Sequence, residues 1–356
     1  METTALSHIA YNLLSYRRKR YYSIIGLLVL LGVVIGAACS IGSADISISD
    51  VWRLLLSRLP GVDIDNGIPG TLSTIVLDIR LPRIILAGLV GAALSTAGAT
   101  YQGLFRNPLA DPYLIGVAQG AALGAVIGFI FHFSGPVGLG SVPLLAFCGG
   151  LLSAVVLYGL ARVGKTLPMT TVILAGVAMG AFLAAVTSFL LINSGENLHG
   201  ILIWLMGGFS TSNWNEVYVL LPYVLLSLVP IYLYGRPLNL IQMDEEQAQQ
   251  LGVNVEKVKL IMLLSATLIT AAAVSFAGSI GFVGIIIPHA VRLIWGPDYR
   301  FLLPLSTVVG AIFLILADTL ARTVMGAAEV PVGVITAFFG APFFLYLLRQ
   351  KKRVVF

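Results

Sequence analysis

Charge is what this sequence has least of. Asp, Glu, Lys and Arg make up only 10% of its 356 residues, whereas a soluble domain carries about 25%. So few charges cannot coat a water-facing surface, and with 58% hydrophobic residues a soluble, disordered or nucleic-acid-binding chain is excluded. Cysteine is equally sparse. Cys39 and Cys148 lie in apolar runs with no metal or redox spacing, which rules out a disulfide scaffold and makes both small core residues. The four histidines, His8, His132, His199 and His289, are scattered, and no carboxylate–His or Ser–His spacing accompanies them. No catalytic residues and no metal site are expected; His132 and His199 read as polar residues at outer span ends. Asp318 is the only acid clearly inside an apolar run, although ion-coupled carriers usually place carboxylates deep in the bundle.

What remains is membrane-spanning helix. A helix crosses the hydrocarbon layer in about 20 residues, and ten apolar runs of suitable length emerge. They cover 21–43, 81–104, 112–133, 142–162, 170–192, 216–235, 258–277, 281–295, 302–324 and 331–348. A shorter apolar segment, 199–209, is a candidate re-entrant or interfacial helix. The expected fold is all-α and polytopic. Residues 1–20 form a cytoplasmic N-terminal segment, 21–348 the transmembrane domain and 349–356 a cytoplasmic tail.

Lys and Arg collect on the cytoplasmic side of membrane proteins. Arg17, Arg18, Lys19 and Arg20 precede the first run, and Arg349, Lys351, Lys352 and Arg353 follow the last. Both termini therefore fall inside. With ten crossings, 16 of the 21 basic residues lie inside; Arg53, Arg58, Arg80, Arg83 and Arg322 do not. The apolar stretch before residue 43 is longer than a signal-peptide core of about 7–15 residues, which favours a retained helix.

Ala92–Gly98 matches Ala272–Gly278 at an offset of 180, and Pro108 matches Pro288 in the same register. The copies lie on the second and seventh runs, an odd number of crossings apart, which makes a weak inverted repeat of a kind common in transporters. Gly116, Gly120, Gly124 and Gly128 form a stripe that lets helix backbones approach closely.

One string misleads. Gly159 to Thr166 spells the phosphate-loop pattern G-x-x-x-x-G-K-[ST], and residues 313–318 resemble its Mg²⁺-binding strand. A phosphate loop must join a strand to a helix whose amides face the anion. Here Gly159 ends a membrane helix, and the topology puts Lys165 inside and Asp318 toward the outer face, so nucleotide binding is excluded.

Two polar features invite partners. The inside segment 244–257 is the most polar of all: Asp244 can cap a short helix, Gly252 can end it and Asn254 can cap a second. Two short helices at a sharp angle make a knob that a soluble motor can lever. On the opposite face, Arg80 and Arg83 open the second span and Arg322 closes the ninth. One such arginine could simply snorkel; three suggest docking to carboxylates on an external protein. Asp318 and Arg322 are spaced to pair on one helix face.

These residues resemble the permease subunits of bacterial ABC importers for iron–siderophore complexes, haem and cobalamin. The hallmarks are Arg80-Leu81-Pro82-Arg83, Phe105-Arg106-Asn107-Pro108-Leu109-Ala110-Asp111-Pro112, Leu174-Ala175-Gly176-Val177-Ala178, Gly281-Phe282-Val283-Gly284 with Pro288-His289, and Glu329-Val330-Pro331-Val332-Gly333 with Gly340-Ala341-Pro342. The resemblance spans roughly residues 20–350. It implies a multi-pass protein of the cell inner (cytoplasmic) membrane, paired with a second permease copy as a homodimer, two cytosolic ABC ATPases and an extracytoplasmic substrate-binding protein. ATP and Mg²⁺ would sit on the ATPases; this chain would hold no cofactor and bind no nucleic acid.

Carried over by motif, Arg80, Arg83 and Arg322 look like the docking arginines. Asp244, Glu245, Gln247, Ala248, Leu251, Gly252, Val253 and Asn254 look like coupling-helix positions, and Asn107, Leu109, Met169 and Thr170 match positions that narrow the cytoplasmic mouth. The implied cargo is an iron chelate, siderophore or haem, with cobalamin second. An ion-coupled secondary transporter and a non-transporting scaffold are the rival readings.

Overall fold

The computed structural model describes residues 2–42, 46–57, 69–131, 140–164, 166–326 and 328–352, with side chains left out at 2–17, 114, 347–348 and 350–352. Arg58, His132, Lys165 and Arg353 lie outside the described residues. The chain is all-α. Its helices are α1 (Glu2–Ser40), α2 (Ile48–Ser57), α3 (Gly70–Thr74), α4 (Leu81–Leu104), α5 (Val117–Ile130), α6 (Ser141–Ala161), α7 (Met169–Ile192), α8 (Leu198–Met206), α9 (Trp214–Leu233), α10 (Gly235–Met243), α11 (Glu245–Gln250), α12 (Val255–Ala277), α13 (Val283–Trp295), α14 (Tyr299–Thr323) and α15 (Val332–Lys352). Each of the ten apolar runs has its helix: α1, α4, α5, α6, α7, α9, α12, α13, α14 and α15. The segment 199–209 corresponds to α8.

The core is built on α4, which is buried along nearly its whole length. It packs against α12, α13 and α14, and small residues make that possible. A Cβ on Gly98 would sit 2.0 Å from the Gly284 carbonyl oxygen, so the two backbones touch. Neutral hydroxyls and an amide then bond across the contacts: Ser95 Oγ donates to the Ser306 carbonyl at 2.8 Å, Thr96 pairs with Thr307 at 2.7 Å, and Gln102 Nε2 donates to the Gly284 carbonyl at 3.2 Å. In a membrane, where apolar burial between helices contributes little, such close packing and hydrogen bonding hold a bundle. The glycine stripe on α5 does the same against α6: a Cβ on Gly124 would lie 2.0 Å from the Leu145 carbonyl oxygen.

The repeated segments run in opposite directions. Gln242 donates to the carbonyl of Gly103 near the end of α4, and Glu245 meets Lys259 near the start of α12, so α4 ends where α12 begins. The misleading string is the end of α6 followed by a tight turn, in which Val163 and Thr166 form a single antiparallel bridge before α7. Among the described residues no strand feeds a helix there.

Two expectations are corrected. Cys148 is exposed, unlike Cys39, because it falls on the outward face of α6. The polar segment 244–257 holds one short helix, α11, and the second short helix is α10, which precedes the segment at Gly235–Met243. Asn254 does cap a helix, accepting from Lys257 N at 3.0 Å, but that helix is the membrane-spanning α12. The apolar run ending near residue 235 concealed α10, whose Leu238 and Ile241 are buried.

Candidate functional site

Two polar clusters lie at opposite ends of the bundle. At the end expected from the sequence to face outside, Asp318 is fully buried and is shared by two guanidinium groups. Arg83 Nη2 donates to it at 2.9 Å, and Arg322 Nε lies 3.2 Å from its other oxygen. Arg83 also reaches forward: its Nη1 donates to Glu329 Oε1 at 2.9 Å, and the Glu329 side chain is 43% exposed. One cation thus bridges a buried carboxylate and an open one, tying α4 to α14 and to the loop that starts α15.

Arg80, Arg83 and Arg322 are therefore not equivalent. Arg80 is 5% exposed and donates to the Cys39 carbonyl at 2.7 Å and the Ser40 carbonyl at 3.1 Å, closing the end of α1. Arg322 donates to the Ala38 and Ile41 carbonyls at 3.3 and 3.4 Å. Such orphan carbonyls at a helix C-terminus favour a cation. Arg83 faces a cavity of about 500 Å³, which it lines with His199, Phe209, Glu329 and Pro331.

That cavity is closed on one side by the end of α8. Gly207 turns the chain there at φ 73°, and Gly208 N donates to the Ala277 carbonyl at 2.9 Å. The outer arginine cluster, α8 and the start of α15 thus meet at one place.

At the opposite end, α11 is held like a lever on a pivot. Asp244 caps it, accepting from Gln247 N at 2.9 Å. Gly252 ends it at φ 84°, and Val253 N donates back to the Ala248 carbonyl at 3.0 Å. Ala248 is buried, whereas Leu251 is 68% exposed at the tip. Lys259, with a side chain only 6% exposed, binds Glu245 at 2.6 Å and Glu256 at 3.3 Å, fixing α11 to α12.

Arg106 connects this lever to the loop after α4. It adopts a left-handed backbone at φ 49°, a conformation rare outside glycine and usually held only where neighbours enforce it. Its Nη2 donates to the Ile241 carbonyl at 2.5 Å and lies 3.6 Å from Glu245. The next residues are the predicted gate positions: Asn107 Oδ1 accepts from Leu109 N at 3.0 Å, which keeps the turn tight and leaves Leu109 41% exposed. Met169 and Thr170 open α7, with Met169 half-buried and Thr170 exposed. No hydrogen bond joins the two pairs among the described residues.

Sequence reasoning passed over Arg106, Lys259 and Glu329 as functional residues. Arg106 and Glu329 stand inside quoted motifs, and that was the available signal. Among the described residues no three His, Cys, Asp or Glu side chains are placed to hold a metal.

The model of the FecCD transport family matches residues 27–350. The chain is 49% identical to the cobalamin import system permease BtuC of Halobacterium salinarum, over 80% of this chain and 76% of that one. It is 37% identical to the hemin transport system permease HmuU of Yersinia pestis, over 92% and 95%. Among solved structures, an inward-facing putative metal-chelate type ABC transporter superposes with a TM-score of 0.78 at 32% identity, covering 92% of this chain and 99% of that one.

Proposed function

Because the chain belongs to the FecCD transport family, an integral membrane permease that is not itself an enzyme, we propose that it forms the pathway of an ATP-driven importer for a bulky metal chelate. Two copies would pair with two cytosolic ATPases and receive cargo from an external binding protein, with both termini cytoplasmic. The observation that carries this reading is the Arg106 connection, which ties a protruding capped helix to the loop bearing Asn107 and Leu109. A partner that moves α11 by binding ATP would move that loop with it. Opposed to ion coupling is the state of Asp318, whose charge is already consumed by two arginines.

Face assignments follow. α7 is 17% buried over its most apolar stretch, and with Met169 and Thr170 at its start we assign it to the pathway and the second copy. Docking rests on Arg83, with Arg322 behind it and Arg80 holding the frame. Glu329 now occupies the position that a carboxylate of the binding protein would take, so docking would exchange one carboxylate for another and free the start of α15 beside α8.

This predicts opposite effects of two substitutions on binding-protein affinity, measured with the permease in nanodiscs. Glu329→Gln removes the internal competitor and tightens binding roughly two- to fivefold, the scale of a partly exposed ion pair. Arg83→Glu weakens it by more than about tenfold. Wild-type affinity in both variants contradicts this docking mode.

For cargo, the iron chelate expected from the sequence is consistent with the hemin and Fe(3+)-citrate permeases among the relatives. Cobalamin is the second reading, and the 49% identity to a cobalamin permease favours it.

A further inference from the structure

Beside the start of the apolar stretch of α1 lies a cavity outside the site described above. It measures about 360 Å³ and is lined by Tyr21, Ile24, Arg236, Arg300, Phe301 and Pro304. Three helices meet there: α1 as it enters its apolar stretch, α10 directly after α9, and α14 at its first turn. Each brings a guanidinium group to the same level, namely Arg20, Arg236 and Arg300.

Their charge is not balanced. Among the described residues, the carboxylate paired with Arg20 and Arg300 is Asp298, and it is saturated. It accepts from Arg300 Nη2 at 2.6 Å and Asn239 Nδ2 at 2.7 Å, and it lies 3.5 Å from Arg20. Partial burial works against its ionised form, but the hydrogen bonds from Arg300 and Asn239 prevail and hold its carboxyl down at about 2. Arg236 is exposed and makes no hydrogen bond or ion pair among the described residues. Three cations against one committed anion leave a surplus of two positive charges.

The walls below that rim are apolar. Arg20 stacks over Phe301 at 5.0 Å, and Tyr21 meets the same ring edge-on at 5.5 Å, which fixes the groove's shape. Farther along α1, Ile25 and Leu28 are more than half exposed and continue the apolar track into the membrane. A charged rim over an apolar floor matches an amphipath, and basic pockets between helices at the membrane edge suit anionic headgroups.

We infer that this groove between α1, α10 and α14 binds an anionic phospholipid, with its phosphate between Arg236 and Arg300 and an acyl chain against Ile24, Phe301 and Pro304. Inorganic phosphate would share the headgroup chemistry but gain nothing from the floor. Because α10 leads directly into α11, an occupied groove would brace the lever against two membrane helices.

The test uses the full chain, delipidated in detergent, and native mass spectrometry with phosphatidylglycerol or phosphatidylcholine of matched acyl chains. The expected result is a preference for phosphatidylglycerol that falls about fivefold in Arg236→Gln, on the scale of one basic residue at a charged membrane surface. It should persist in Arg162→Gln, a substitution at an exposed arginine remote from the groove. Arg236 has no partner to lose, so its replacement leaves the fold intact. Equal binding of the two lipids, or the same loss in Arg162→Gln, overturns the site. Displacement of the lipid by millimolar inorganic phosphate overturns its assignment to a lipid.

Discussion

Leu251→Asp is expected to uncouple the permease from the proposed partner ATPase while leaving the membrane domain folded. Leu251 is a large apolar side chain held in water at the tip of α11, 68% exposed, in a segment otherwise rich in charge and amide groups. Everything around it serves to hold it there: the Asp244 cap, the left-handed Gly252 and the buried Ala248 beneath. An apolar anchor presented on a rigid knob is the pattern of an interface hot spot, whose loss costs about 2 kcal/mol or more. Placing a carboxylate at a buried contact with the proposed ATPase adds desolvation to that loss. Association with the ATPase should weaken by at least ~30-fold, measured by co-purification or by ATPase stimulation. Because Leu251 supports no buried contact of its own tip, thermal stability should stay within about 0.5 kcal/mol of wild type. Undiminished coupling would remove α11 from the ATPase interface.

Asp318→Ala should produce the opposite pattern, a loss of the fold's outer end. Removing this carboxylate leaves Arg83 and Arg322 facing each other, with side chains 11% and 8% exposed. Breaking a buried ion pair by deleting one partner costs about 3–5 kcal/mol, because the remaining charge is uncompensated. Glu329 can neutralise Arg83 from outside, but no carboxylate other than Asp318 pairs with Arg322 among the described residues. The double variant Asp318→Ala, Arg322→Leu should therefore recover a large part of the loss, a coupling that a double-mutant cycle in thermal unfolding reads directly. If the second substitution instead adds to the damage, the charge-balance view of the cluster is wrong.

Those two sites show what sequence can and cannot display. The helices at the ten apolar runs were legible because a long apolar run has few alternatives, and the Asp244 and Asn254 caps were legible because they are local. The Asp318–Arg322 pair could be read from a four-residue spacing. The Arg83–Asp318 pair could not: its partners stand 235 positions apart, and nothing in either neighbourhood announces the other. Counting outer arginines made all three look alike, whereas burial divides them into a clamp on α1, a buried counter-ion and one that faces a cavity. The knob was displaced by one helix because α10 begins at Gly235 directly after α9 ends at Leu233, with no polar linker between them to announce a new helix. Cys148 was misplaced for a related reason. In a membrane protein an apolar neighbourhood does not distinguish the core from the outward face.

The most direct test of the central claim is uptake of labelled chelate into liposomes holding the permease with its partner ATPase, supplied with binding protein and treated with ionophores. Haem, a ferric siderophore and cobalamin serve as candidate cargoes. The expected result is accumulation that requires ATP and the ATPase and survives collapse of every ion gradient. Accumulation without the ATPase, driven by an imposed ion gradient and abolished by ionophores, would contradict it.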